Sequence, residues 1–158
     1  MENQFKRGMR RLAGAVTIIT AGTGETISGL TATAVCSLTA RPPRLLACLN
    51  EAGITFETLR RHGRFCINVL GKADQAVAEA FAGMTGLEGA ARFSVGEWAI
   101  EGDAPPRLLT AECSFDCAVY SVTLLATHGL VIGDVRDVHI SAPQVPLIYH
   151  DGQFTTVS

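Results

Sequence analysis

Residues 29–50 read GLTATAVCSLTARPPRLLACLN, and this stretch carries the strongest structural signal in the chain. Its first ten residues are small, β-branched or apolar, which is typical of a β-strand. Prolines follow at positions 42 and 43, where a strand should end because proline cannot donate to a ladder. Residues 44–50 then form an apolar run short enough for a buried strand. The hydroxyls and small side chains at 31–37 would also let a flat aromatic ligand approach the backbone, so a structural role and a binding role both stay open.

The patterns outside this stretch predict a mainly β protein with a few short helices. Apolar spacing predicts helices over residues 5–12, 54–62 and 72–82, and Gly63 is a candidate C-cap for the second. Short strands are expected around Trp98 and over residues 146–150, further strand patterns cover residues 14–21, 28–39, 44–50 and 64–70, and two long ones cover 109–126 and 128–140. Because strands and helices do not alternate regularly, we expect a barrel with peripheral helices, in one domain over residues 1–158.

The composition argues against several functional classes. Hydrophobic residues make up 47% of the chain and charged residues 18%, which is typical of an ordered globular protein. The formal net charge of −2 lacks the basic excess of a nucleic-acid-binding protein. No apolar run reaches the roughly 18 residues of a membrane span, and no apolar signal core follows the first basic residues. We therefore expect a cytoplasmic protein with no nucleic acid and no membrane among its partners.

The histidines and cysteines do not predict a metal site. The four histidines show no paired ligand spacing, and the five cysteines contain no Cys-x-x-Cys pair, so buried free thiols are expected. His128 follows Thr127 at a junction between two strand patterns, where a hairpin turn would expose it. The glycine-rich signatures of dinucleotide and phosphate loops and the Gly-x-Ser-x-Gly elbow are absent as well. The residue patterns alone therefore predict a fold but no reaction.

Four motifs, in order and at matching spacing, resemble the flavin-reductase-like family, which has the FMN-binding split-barrel fold. They are residues 29–50, residues 63–70 with 78–83, residues 128–135, and residues 146–154. The similarity extends from Phe5 to Phe154, and the family includes small reductase components of two-component flavin monooxygenases. The resemblance implies a mainly β, Greek-key split β-barrel with a few short peripheral α-helices, and a homodimer.

The resemblance also implies an activity, in which a hydride passes from NADH or NADPH to FMN or FAD. His128 matches the family histidine placed near the nicotinamide, where it would orient that cofactor; it is the predicted catalytic residue. The predicted cofactor-binding residues comprise a segment that borders the isoalloxazine ring, two positions that contact the ribityl chain and phosphate, and this histidine: Thr31, Ala32, Thr33, Ala34, Ser37, Asn50, Thr55 and His128.

Two positions depart from the family pattern. Gly53 stands where many relatives carry a serine near the phosphate, which would loosen flavin binding and suit a reductase that releases reduced flavin to a partner monooxygenase. Thr127 stands where an acidic residue or serine is common. Three alternatives stay open: a protein with tightly bound FMN that reduces a corrinoid or ferric chelate, a non-catalytic flavin-binding module, and a purely structural barrel. The sequence does not distinguish FMN from FAD or NADH from NADPH.

Overall fold

The computed structural model describes residues 1–157, and Ser158, the last residue of the predicted domain, lies outside them. The α-helices are α1 (Glu2–Met9), α2 (Ile54–His62) and α3 (Gln75–Phe81), and short 3₁₀ helices cover Gly24–Thr26, Lys72–Asp74 and Gly89–Ser94. The strands are β1 (Gly14–Ala15), β2 (Thr17–Ala21), β3 (Ser28–Ala32), β4 (Val35–Ala40), β5 (Pro43–Asn50), β6 (Arg64–Val69), β7 (Trp98–Ala99), β8 (Arg107–Leu108), β9 (Cys113–Leu125), β10 (His128–Ile140), β11 (Ile148–His150) and β12 (Gln153–Thr155).

Seven of these strands form one antiparallel sheet in the order β3-β2-β6-β9-β10-β5-β4. Its two outermost strands, β3 and β4, are consecutive in the chain and are joined only by Thr33 and Ala34. Three Cα–Cα steps of about 3.8 Å therefore hold the two edges of the sheet within about 11 Å of each other. The sheet therefore curls into a barrel, in which the edge strands β3 and β4 are neighbours along the chain but do not pair with each other. We call the gap between them, at Thr33–Ala34, the split of the sheet.

Two apolar clusters pack on the sheet, and β2 lies between them. Ile18 belongs to the cluster that includes α3 and Phe81, whereas its neighbour Ile19 belongs to the cluster that includes α2 and Phe56. All five residues of β2 are buried because alternate side chains of a strand point to opposite faces. A separate three-stranded sheet has the order β1-β11-β12. It packs against the cluster that contains Phe81, through Phe154 of β12 and through Leu147, which precedes β11.

Glycines within the strands let aromatic rings lie directly on the sheet. A Cβ atom at Gly133 of β10 would lie 2.6 Å from the ring of Phe65, and one at Gly29 of β3 would lie 2.8 Å from the ring of Phe81. Both distances are shorter than any ordinary carbon contact, so only glycine fits at these positions. Gly29 thereby places Phe81 and the end of α3 under the start of the Thr31–Ala34 segment.

The mainly β architecture with short helices is confirmed, and α2 has the predicted bounds, with Gly63 as a C-cap at a φ of 69°. The strand predicted over 28–39 is wrong as one element, because Thr33 and Ala34 interrupt it between β3 and β4. The strand predicted over 14–21 is likewise divided at Val16, and α1 ends at Met9 instead of residue 12. None of the helices in residues 1–157 combines the length and the apolar character needed to cross a membrane.

Candidate functional site

The segment Thr31–Ala34 at the split of the sheet is fixed by hydrogen bonds on its carbonyl side. The Ala32 carbonyl accepts from the Thr17 hydroxyl at 2.7 Å, and the Ala34 carbonyl accepts from the Cys48 amide at 3.0 Å. The Thr33 carbonyl accepts from the Val35 amide at 2.9 Å, and the Thr31 hydroxyl donates to the Ala78 carbonyl at 2.7 Å. The segment is therefore held between β2, β5 and α3 while its side chains stay small.

Two backbone N–H groups of the same segment are available to bind a ligand. Within residues 1–157, the N–H groups of Thr33 and Ala34 have no hydrogen-bond acceptor, and both residues are exposed. Backbone N–H groups are strong donors that need a partner, which in an exposed segment is water or a ligand. Two adjacent N–H donors on a fixed backbone are the arrangement that binds an electron-rich edge of a ligand.

A cleft of about 360 Å³ lies along this segment and is called the split cleft below. It falls within the roughly 300–1,000 Å³ that small-molecule sites occupy. Small and apolar side chains make most of the wall, and Asn50 and Arg92 are its most polar members. The lining residues are Leu30, Thr31, Ala32, Thr33, Ala34, Cys48, Leu49, Asn50, Phe81, Ala82 and Arg92. The structure thus brings together the predicted residues Thr31, Ala32, Thr33, Ala34 and Asn50.

Asn50 is the last residue of β5 and lines the split cleft. Its Oδ1 accepts a hydrogen bond from the Ala52 amide at 2.9 Å, which is an Asx-type turn. This bond assigns the orientation of the side-chain amide and leaves the two N–H donors of Nδ2 without a partner among the described residues. Asn50 can therefore donate to a hydroxyl or phosphate oxygen in the cleft.

Arg92 is a site residue that the sequence reasoning missed. Its Nε donates to the Leu87 carbonyl at 3.0 Å, and its Nη1 donates to the Gly29 and Phe81 carbonyls at 3.3 and 3.2 Å. It is the one charged side chain among the residues lining the split cleft. Because the carbonyls are neutral, the positive charge is not cancelled by these bonds. No sequence signal marked it, since it lies in the weakly patterned stretch between α3 and β7.

His128 begins β10 and does not itself line the split cleft. His128 and Asn50 are directly opposite each other in the β5–β10 ladder, so their side chains leave the same face of the sheet. The ring is exposed, and its Nδ1 lies 2.9 Å from the Thr127 hydroxyl. The turn that carries Thr127 is tied to β5 by a 3.0 Å bond from the Glu51 amide to the Thr127 carbonyl. Thr127, which departs from the family pattern, therefore restricts the orientation of the His128 ring.

Besides His128, two predicted residues, Thr55 and Ser37, do not line the split cleft. Thr55 is only 3% exposed, and its hydroxyl is 2.7 Å from the Ser28 hydroxyl beneath the first turn of α2. Ser37 is exposed on β4, opposite Leu45, and does not line this cleft. The burial of Thr55 follows from the apolar face of α2, which turns Thr55, Phe56 and Leu59 inward. Their roles in binding stay predictions.

The cysteines are all free thiols, but only two of them are buried. Burial raises the pKa of the Cys66 thiol, and it raises the pKa of Cys117 to about 12. The prediction of buried thiols is wrong for Cys36, which is exposed on the outer strand β4, and for Cys48 and Cys113, which are half-buried. Across residues 1–157 there is no cluster of three or more metal-ligating side chains.

Comparison with known proteins identifies the family. The model described as flavin reductase like domain matches residues 9–158. The chain belongs to the flavin reductase like domain family. Among its relatives, the FMN reductase (NADH) RutF of Variovorax paradoxus strain S110 is 34% identical over 154 residues, covering 98% of this chain and 84% of that protein. The family and split-barrel fold predicted from the four motifs are confirmed.

Solved structures of the flavin reductase family superimpose over nearly the whole chain. A candidate flavin reductase from Haemophilus somnus 129PT is 33% identical, with a TM-score of 0.92 and 99% of each chain covered. Flavin reductase PheA2 is 25% identical, with a TM-score of 0.88, and the alignment covers 100% of this chain and 99% of that one. The curled sheet and its split are therefore shared with these proteins.

Proposed function

We propose that this member of the flavin reductase family is an NADH-dependent flavin reductase that binds FMN or FAD in the split cleft. The observation that carries the proposal is the pair of unpaired amides at Thr33 and Ala34, on a fixed backbone at an open cleft of suitable volume. NADH is proposed as the hydride donor because relatives at about a third identity are named FMN reductase (NADH).

The residues of the split cleft fit a flavin. The N5 and carbonyl edge of isoalloxazine is rich in acceptors, and the Thr33 and Ala34 amides would donate to it. Methyl side chains at Ala32 and Ala34 leave room for a flat ring to approach the backbone. When flavin and NADH are bound together, the flavin accepts at N5 the hydride that nicotinamide C4 donates. Fixed amides that face the edge where negative charge develops stabilise the reduced ring.

Arg92 and Asn50 supply the donors for the rest of the flavin. A phosphate is doubly or singly charged at neutral pH, and guanidinium–phosphate pairs are among the stronger hydrogen bonds in proteins. Three of the donors of Arg92 hold carbonyls, so the group is pre-positioned with Nη2 left for the ligand. Asn50 lines the same cleft as Arg92 and is opposite His128 in the β5–β10 ladder, and its free Nδ2 donors suit a ribityl hydroxyl.

His128 is proposed to orient the nicotinamide. Hydride transfer needs no proton donor or acceptor at the carbon, so the histidine acts through position, at the rim where a second ring would stack on the flavin. The Thr127 hydroxyl at Nδ1 limits rotation of the imidazole and directs Nε2 away from the turn. An amide or carbonyl of the nicotinamide is the natural partner for Nε2.

The remaining parts of the proposal concern partners. Large apolar side chains are exposed on β4, β9 and β10, among them Leu38, Tyr120, Leu125 and Ile140. Exposed apolar surface of this kind marks contact sites, which supports a homodimer built on this sheet. Release of reduced flavin to a monooxygenase partner is supported by the exposure of Thr33, Ala34 and Asn50 in the split cleft. Sedimentation equilibrium tests the dimer; a monomer at all concentrations would contradict it.

The activity is tested by anaerobic stopped-flow absorbance with flavin in excess over protein. We expect NADH to bleach many equivalents of free FMN or FAD. Bleaching of one equivalent only would show a tightly bound flavin that serves another acceptor, and no bleaching would contradict a reductase. The four combinations of FMN or FAD with NADH or NADPH rank the cofactors in the same experiment.

The site is tested separately by adding bulk to the split cleft. Ala34→Leu should abolish flavin binding because the larger side chain occupies the space beside the unpaired amides, while folding is preserved because the residue is exposed. Ala76→Leu is the matched control, since Ala76 is exposed on α3 and lines no part of this cleft. Equal flavin binding by the two variants would show that flavin does not bind in the split cleft.

A further inference from the structure

A second cleft borders the Thr33–Ala34 segment and extends to the end of α1. Its volume is about 460 Å³, and it shares Thr33, Ala34 and Cys48 with the split cleft. We call it the thiol cleft. No charged side chain and no histidine is among the residues that line it, which are Met9, Leu12, Ala13, Gly14, Thr33, Ala34, Val35, Cys36, Leu46 and Cys48. Hard cations such as Mg²⁺ and Ca²⁺ therefore find no carboxylate ligand there.

Two free thiols face the thiol cleft from neighbouring strands. Cys36 of β4 is directly opposite Leu46 of β5. Cys48 follows Leu46 by two residues on β5, and side chains two positions apart on a strand leave the same face of the sheet. Cys36 and Cys48 are therefore diagonal neighbours across the β4–β5 ladder. Cys36 is exposed and Cys48 is half-buried, so both sulfur atoms are within reach of a small solute.

The diagonal separation suits a bridging metal ion better than a disulfide. Diagonal neighbours in an antiparallel pair have Cα atoms about 7–8 Å apart. A disulfide needs Cα atoms within about 7 Å and Cβ atoms about 3.5–4.5 Å apart, so it does not fit here without a shift of the backbone. A metal ion with two thiolate bonds of about 2.3 Å holds the sulfur atoms up to about 4.6 Å apart, whereas an S–S bond holds them at about 2 Å.

The chemistry of the lining selects a soft cation. Thiolate and thioether sulfur are the ligands that Cu(I) prefers. The thiol cleft contains a third sulfur atom, that of Met9 at the end of α1, and its other side chains are apolar apart from the Thr33 hydroxyl. Two thiolates are enough for Cu(I), which accepts linear two-coordinate geometry. The cleft thus offers sulfur ligands in an uncharged setting that excludes the harder cations.

We infer that Cys36 and Cys48 bind a soft monovalent cation, with Cu(I) as the biological member of that class. Each thiol loses its proton as its Cu–S bond forms. One Cu(I) and two thiols therefore give one bis-thiolate complex of charge −1 and two released protons. Copper stays Cu(I) throughout, so no electron is transferred and no oxidant is needed.

Binding in the thiol cleft should also weaken flavin binding, a consequence that rests on the proposed function. Cys48 lines both clefts, and its amide donates to the Ala34 carbonyl at 3.0 Å. The anionic bis-thiolate complex would border the same segment whose Thr33 and Ala34 amides are proposed to hold the flavin edge. Negative charge and added bulk at this segment both oppose a flavin in the split cleft.

The site is tested by anaerobic titration of the full chain with Cu(I) against bathocuproine disulfonate, a coloured Cu(I) chelator. We expect one Cu(I) per wild-type chain, with only sulfur neighbours in X-ray absorption at the copper edge. Cys36→Ser and Cys48→Ser should each weaken Cu(I) binding more than about a hundredfold, since loss of an outer-shell partner alone costs about 10–100-fold. Cys113→Ser is the matched control, because Cys113 is a half-buried free thiol that does not line the thiol cleft.

The coupling to flavin is tested by fluorescence titration of FMN with and without one equivalent of Cu(I). The dissociation constant of FMN should rise about tenfold in the wild-type protein, within the usual range for coupled sites, and should not respond to Cu(I) in Cys36→Ser. An unchanged constant in copper-loaded wild-type protein would contradict the coupling. Wild-type Cu(I) affinity in either serine variant would overturn the site, because a single thiol would then account for the binding. Failure of the proposed function looks different: the metal-free protein would bind no flavin, whatever the copper titration gives.

Discussion

His128 lies directly opposite Asn50 across the ladder between β5 and β10, and Asn50 lines the split cleft. The two residues are 78 positions apart in sequence and belong to different motifs. Side chains that face each other on one side of an antiparallel pair have Cβ atoms about 4.5–5.5 Å apart. A ligand held by Asn50 is therefore within reach of the imidazole, which relates the proposed flavin contact to the proposed nicotinamide contact.

Replacing His128 with alanine should raise the KM for NADH about tenfold or more and leave the dissociation constant of FMN nearly unchanged, if its hydrogen bond orients the nicotinamide. Steady-state kinetics with each substrate varied in turn gives the comparison. Thr127→Val is the companion variant, because it removes the hydroxyl at Nδ1 and keeps the histidine. It should shift the KM for NADH in the same direction and by less. Equal effects of His128→Ala on both substrates would contradict the assigned role.

The sequence predicted the strands and α2 well because their signals are local. Gly63 as a C-cap and the β-branched run before β3 each follow from a few consecutive residues. The interruption at Thr33–Ala34 was missed because its cause is distant in sequence. The curl of the whole sheet requires a break there, while the residue types on both sides favour a continuous strand.

The candidate site was predicted in part, for the same reason. The motif resemblance named Thr31 to Ala34 and Asn50, which line the split cleft, and His128, which lies opposite Asn50 in the β5–β10 ladder; their roles in binding stay predictions. It did not locate Arg92, whose position depends on carbonyls of Gly29 in β3, Phe81 at the end of α3 and Leu87 in the loop that follows α3. It also did not reveal that Thr55 turns inward, since that depends on which face of α2 packs against the sheet.

Replacing Arg92 with methionine should weaken FMN binding much more than riboflavin binding. The phosphate is the part of FMN that riboflavin lacks, and a hydrogen bond to a charged group contributes about 1.5–3 kcal/mol, or more than tenfold in affinity. The ratio of the two dissociation constants is the measurement, because loss of the three carbonyl bonds would affect both flavins together. A ratio equal to that of the wild-type protein would show that Arg92 does not bind the phosphate.

Replacing Gly133 with alanine should destabilise the protein by about 1–3 kcal/mol, the usual effect of overpacking a core. The added methyl group would lie 2.6 Å from the Phe65 ring and 3.0 Å from Cys117 Cβ, and both neighbours are buried. Urea unfolding gives the free-energy difference. Gly8→Ala is the control: nothing lies within 4 Å of its added Cβ, and the change should stabilise α1 by about 0.5–1 kcal/mol. Phe65→Leu should recover part of the loss in a double variant, because the two sites are in contact.

The buried thiol of Cys117 should make the folded state less stable at alkaline pH. Burial raises the pKa of Cys117 to about 12, whereas a thiol in an unfolded chain has a pKa of about 8.5. The native state then holds this proton more tightly than the unfolded state. The stabilising contribution is complete below about pH 8.5 and declines as the pH rises toward 12.

Two measurements follow from the raised pKa. The urea midpoint should fall between about pH 8.5 and 11. In Cys117→Ala the midpoint should change less with pH, because this variant lacks the thiol that titrates differently in the two states. Labelling with a thiol reagent at about pH 8 should modify Cys36 at once and Cys66 and Cys117 only after denaturation, since the thiolate is the reactive form and both of these side chains are buried. Rapid labelling of Cys117 in the folded protein would show that its environment is open, contrary to the packing of β9 against β6 and β10.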